Sequence, residues 1–176
     1  MKTILSIMFL LFFTHAYADI SLGDLGMSQT ATVQADPKYE AMMTERHSML
    51  KTHEVLGLTT WGLMTATMLT GGSALDSNLH MYLGMATGVS YLATAYYSLN
   101  APKPKSIKDQ WRMKWHKGLA WVHFPLMLLV PYLGYQYKKH EDRHQAHNSL
   151  EKQHSTFAGL LYGTFTISAA LMVIEF

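Results

Sequence analysis

The sequence predicts an all-α protein: a four-helix transmembrane bundle, up-down and antiparallel, preceded by a cleaved signal peptide. Four stretches, 55–72, 78–100, 118–137 and 153–174, contain no Asp, Glu, Lys or Arg. Each is about as long as the ~20 residues that carry an α-helix across a hydrocarbon core of roughly 30 Å. Overall 49% of residues are hydrophobic and only 15% charged, and the charges gather between the stretches. The stretches are too long and too evenly apolar for the alternating strands of an outer-membrane barrel.

The first eighteen residues, MKTILSIMFLLFFTHAYA, have a basic start at Lys2, an apolar run from Thr3 to Phe13 and a small-x-small site at Ala16-Tyr17-Ala18. That is the layout of a secretory signal peptide, and its apolar run is short for a membrane span. Residues 19–48 read as a polar periplasmic leader, irregular before Pro37 and helical after it. Residues 49–176 hold the four spans, which are rich in Gly, Ala, Ser and Thr. Gly84-x-x-x-Gly88 and Gly159-x-x-x-Gly163 have the spacing that lets membrane helices approach closely. Pro125 and Pro131 are expected to distort the third helix, and Trp111 and Trp115 suit anchoring at the membrane interface.

The histidines fall into a pattern. Near the start of each span the sequence reads HEVLG (His53), HMYLG (His80), HKGLA (His116) and HSTFA (His154). Each is followed four residues later by a small residue: Gly57, Gly84, Ala120 or Ala158. Positions i and i+4 share a helix face, so each helix offers an imidazole with bare backbone beside it, an arrangement suited to a wide flat ligand. Short loops make consecutive helices antiparallel. His53 and His116 then lie near one membrane face, His80 and His154 near the other, each pair opposed across a diagonal of the bundle. Two opposed imidazoles are the axial set of a six-coordinate b-type haem. The pattern therefore predicts two non-covalent b-type haems, one per face, and ionisable groups inside spans default to a functional role. Residues 49–176 thus read as a four-helix transmembrane haem-binding domain. His123 lies one heptad after His116 and about 10 Å deeper. It is the alternative axial ligand in the third span, or a hydrogen-bond partner of a haem propionate.

On these four histidines the chain resembles the cytochrome b561 family of transmembrane electron carriers, over roughly residues 49–176. The resemblance implies a four-helix core with one haem-ligand histidine per helix, paired first with third and second with fourth. It carries that role to His53, His80, His116 and His154. It also implies transmembrane electron transfer, with a quinol, an ascorbate-like reductant or ferric ion as redox partner. The chain departs from the family in showing only a signal-like segment before the core, and in lacking a segment that reads as an ascorbate site.

A cleaved signal peptide implies a bacterial inner-membrane protein with a periplasmic mature N-terminus. His53 and His116 then face the periplasm. The loop 101–117, with Lys103, Lys105, Lys108, Arg112, Lys114 and Lys117, lies outside as well, against the positive-inside tendency. There it could pair with haem propionates or receive an acidic periplasmic redox protein. The run HEDRHQAH, with His140, His144 and His147, reads as a weak zinc or copper site or as a solvated helix end. The absence of cysteine excludes disulfides, thiolate metal sites, iron–sulfur clusters and covalent CxxCH haem attachment. There is no phosphate loop, no HExxH and no nucleic-acid motif. Two rival readings are a His-lined membrane protein that binds or conducts divalent metal or protons, and a membrane scaffold without a cofactor.

Overall fold

A computed structural model describes residues 36–71, 77–104, 110–141 and 148–173. The signal segment, most of the leader and residues 142–147 of the histidine run lie outside these residues. Pro37 opens the first helix, where its fixed φ suits the first turn and its missing N–H removes no bond. From there α1 runs Pro37–Thr70, α2 Ser77–Asn100, α3 Trp111–Glu141 and α4 Asn148–Val173. No strand occurs among the described residues. The stretches Trp111–Lys139 and Ser149–Val173 are long and apolar enough to cross a membrane.

The end of the polar leader, expected to be helical after Pro37, is the first part of α1, which passes residue 48 without a break. The third helix, α3, runs through Pro125 and Pro131 as one element. Each proline removes one main-chain bond to the carbonyl four residues back, and the turns on either side stay helical.

The helices form two closely packed hairpins, α1 with α2 and α3 with α4, which meet along thinner seams, α1 with α4 and α2 with α3. Counted from the histidine near each span start, one register repeats in all four helices. Seven residues on stand Thr60, Thr87, His123 and Leu161; eleven residues on stand Met64, Tyr91, Met127 and Phe165. All eight are buried. Steps of seven and four keep them on one stripe of each helix, so this stripe is the core.

Hydroxyl groups stitch the first hairpin: Thr60 meets Ser90 at 2.8 Å and Thr67 meets Thr87 at 3.3 Å. Across the α1–α4 seam the Trp61 indole N–H donates to Thr166 Oγ1 at 3.0 Å, and Thr65 meets the Tyr162 hydroxyl at 3.1 Å. Across the α2–α3 seam Tyr91 meets His123 at 2.8 Å and Lys138 Nζ donates to Asn78 Oδ1 at 3.1 Å. Of the two G-x-x-x-G pairs, Gly84 stands at the first of these crossings, where an added Cβ would lie 3.8 Å from the Thr67 methyl. A Cβ added at Gly88, Gly159 or Gly163 would meet nothing within 4 Å.

Candidate functional site: two histidine pairs

Each span-start histidine places its Nδ1 on a backbone carbonyl of the other helix in its hairpin. His53 Nδ1 is 2.9 Å from the carbonyl oxygen of Thr94, and His80 Nδ1 is 3.0 Å from that of Thr67. In the second hairpin His116 reaches Ser168 and His154 reaches Val130, both at 3.0 Å. A carbonyl oxygen only accepts, so Nδ1 carries the proton and donates, and Nε2 keeps a free lone pair. That is the tautomer of a histidine that binds metal through Nε2 with its ring oriented by a neighbour.

The seats obey a rule. Each lies fourteen residues after the histidine of its own helix: Thr67 after His53, Thr94 after His80, Val130 after His116, Ser168 after His154. Fourteen residues are about 21 Å of helix, close to four full turns on one face. Every helix thus offers a ring at one end and a seat at the other, and two rings gather at each end of the bundle.

Room for the rings depends on the residue one turn beyond the seat. Four residues after Thr67 stands Gly71, where a Cβ would lie 3.3 Å from His80 Cε1. Four residues after Val130 stands Gly134, where a Cβ would lie 3.0 Å from His154 Cε1 and 3.2 Å from its Nδ1. At His116 the Ser168 hydroxyl oxygen adds a second contact to Nδ1, at 2.9 Å. These seats and glycines escaped the sequence reading, since the fourteen-residue spacing emerges only from the contacts between helices.

The rings face each other in diagonal pairs. His53 and His116 have ring centroids 6.0 Å apart with planes at 87°, and His80 and His154 are 6.0 Å apart at 77°. Metal–nitrogen bonds of about 2.0–2.1 Å, plus about 1.1 Å from each nitrogen to its ring centre, put two imidazoles on opposite sides of one metal roughly 6 Å apart. The donor set fits that spacing. Among the described residues no group of three or more His, Cys, Asp or Glu converges on one point. A closed zinc site needs about four protein donors, whereas a haem brings its own equatorial nitrogens and asks for two axial ones.

His123 is placed differently. It is buried at mid-height, its Nδ1 meets the Tyr91 hydroxyl, and its ring packs on Phe165. The ring facing His53 belongs to His116. Of the small residues four after the histidines, Gly57 faces the Thr94 methyl at 3.7 Å and Gly84 the Thr67 methyl at 3.8 Å. Those threonines are the seats, so the two glycines stand at the crossing within the hairpin.

At the His53–His116 end, Arg46 donates to the carbonyl of Pro102 at 2.6 Å and Arg112 to that of Leu171 at 2.8 Å. Lys105, Lys108, His144 and His147 lie outside the described residues. Comparisons with family models, with curated proteins and with solved structures find no match for this chain.

Proposed function

We propose that the chain is a four-span membrane cytochrome of the b561 type, moving electrons between two bis-histidine b-type haems, one near each membrane face. The observation that carries this reading is the pair geometry. Four imidazoles, each locked by Nδ1 on a carbonyl, face one another two by two at the spacing of trans ligands on one metal.

A haem at each pair supplies the one-electron couple of its iron; the protein sets where and how that couple works. Nε2 of His53 and His116 would hold one group, Nε2 of His80 and His154 the other. The Nδ1–H bonds fix ring orientation and raise ligand basicity. The buried layers between the pairs, Met64, Tyr91, Met127 and Phe165 among them, exclude water from the path. A quinol or small reductant would deliver electrons at one face. An acceptor at the other could be an acidic redox protein at loop 101–117, if electrons leave on that side.

The membrane setting rests on where the apolar surface lies. Only 28% and 17% of the apolar windows of α3 and α4 are buried inside the bundle, the reverse of a core helix in a water-soluble protein. On α2, Met85, Val89, Leu92, Tyr96 and Leu99 make an exposed stripe at helical spacing, a surface that water disfavours and lipid accepts. Together with the signal-like sequence, this surface supports the proposed inner-membrane setting, in which the mature N-terminus and the His53–His116 end would face the periplasm.

The test is a dithionite-reduced minus oxidised spectrum of the purified full chain, with pyridine haemochrome to count haem. Two b-type haems per chain are expected. A colourless protein made with haem available would sink the reading and promote the metal-conducting or scaffold rivals.

A further inference from the structure

The bundle interior holds one polar pair that the haem ligation leaves unused. Tyr91 and His123 are 5% and 6% exposed, and they are the only titratable side chains among the buried described residues. They meet at 2.8 Å across the α2–α3 seam. Phe165 of α4 packs on both, 6.0 Å from the Tyr91 ring and 5.1 Å from that of His123.

His123 stands midway, by residue number, between His116 and Val130, the seat of His154. It is therefore about 10 Å of helix from each pair. At the same register the other helices carry Thr60, Thr87 and Leu161, so packing there does not require a histidine. The core cluster that holds Tyr91 includes Met64 from α1, Met127 from α3, and Leu161 and Phe165 from α4, with Phe124 6.3 Å from the Tyr91 ring. The titratable group packed against this cluster is Tyr162 of α4, whose hydroxyl meets Thr65. The nearest titratable group on its own helix is His116, and beyond it lie His53, His80 and His154 at the two ends.

One contrast with the four paired histidines is decisive. Their Nδ1 atoms each sit on a carbonyl oxygen, which only accepts, with the Ser168 hydroxyl added at His116 and the Thr70 hydroxyl at His80. The Nδ1 of His123 sits on a hydroxyl, which can donate to a neutral ring or accept from a charged one. The partner of His123 suits both protonation states.

We propose that Tyr91 and His123 form a proton-holding site at mid-height that takes up a proton when an electron enters the bundle. This rests on the haem reading. One electron from a quinol or other small reductant lowers the charge of the interior by one, where water cannot screen the change. One proton from the aqueous side restores it. The proton bonds to the Tyr91 oxygen as the hydroxyl proton passes to Nδ1 of His123, leaving a neutral phenol that accepts from the imidazolium. Reoxidation returns the proton by the same exchange.

The experiment is a redox titration of the full haem-loaded chain at several values between about pH 6 and 8, where histidine charge changes are accessible. In the native protein at least one midpoint should fall as pH rises, by up to about 59 mV per unit for one proton per electron. His123→Gln should flatten that dependence while keeping both haems. Tyr91→Phe should keep a dependence but displace its pH range. Redox-difference infrared spectra of the native protein should show imidazole protonation on reduction, which also decides the matter should His123→Gln fail to load haem. Midpoints independent of pH in the native protein, an unchanged slope in His123→Gln, or infrared spectra without an imidazole change would overturn the proposal and leave the haem reading standing. Absence of b-type bands in the native protein would overturn both.

Discussion

The two ends of the bundle hold their histidine pairs with the same backbone device in different surroundings. At the His80–His154 end a glycine stands beside each seat, Gly71 and Gly134, and the rings occupy the space a Cβ would take. The residues three before those seats, Met64 and Met127, wall the site from inside. At the His53–His116 end the seats belong to Thr94 and Ser168, and the inner wall is Tyr91 and Phe165. Here a hydroxyl supplements the carbonyl at His116, at 2.9 Å, more closely than Thr70 does at His80, at 3.3 Å. The carbonyl seat tolerates many side chains, because every residue has one, but the room beside it does not. The glycine end should be the fragile one.

The largest effect comes from breaking one end outright. His154→Ala should remove one haem and spare the other, giving one haem per chain by pyridine haemochrome. Retention of both would refute the pairing. Gly134→Ala comes next. Its Cβ would lie 3.0 Å from the His154 ring, which must give way against its bond to Val130, and losing such a supporting bond typically weakens metal binding about 10–100-fold. Gly71→Ala should fall at the mild end of that range, since its contact of 3.3 Å is looser than the 3.0 Å at Gly134. Transfer of haem to a high-affinity acceptor protein, followed at both ends, would rank the two variants.

Ser168→Ala probes the other end and should do less. It removes the hydroxyl at 2.9 Å but leaves the carbonyl at 3.0 Å, so a few-fold change in haem retention confined to that end is expected. Smallest of all is Gly88→Ala, whose Cβ meets nothing within 4 Å. It should raise thermal stability slightly, by about 0.5–1 kcal/mol of helix propensity, and change neither haem.

Much of this arrangement was legible in the residues. Four uncharged stretches give four helices, and a histidine near each start, combined with antiparallel order, groups the rings two by two. The seats were hidden because a backbone carbonyl has no letter in the sequence. Gly134 and Gly71 were hidden for a related reason: a missing Cβ matters only where another helix brings a ring to it, and that depends on register between helices. The same blindness hid that Gly88, Gly159 and Gly163 meet no neighbour, while Gly84 and the hydroxyls of Thr60, Ser90, Thr67 and Thr87 make the crossing of the first hairpin. His123 was visible as a second histidine in its span. Its separate role became clear only from Tyr91, which sits on another helix.

The most direct test of the central claim is an electron paramagnetic resonance spectrum of the oxidised, haem-loaded protein, because it reads the axial ligands themselves. Imidazole planes held at 87° and 77° predict two low-spin ferric signals of the highly anisotropic kind given by near-perpendicular bis-imidazole ligation. One of them should vanish in His154→Ala. High-spin signals from both haems in the native protein, or low-spin signals that survive removal of the histidines, would contradict ligation by the two pairs.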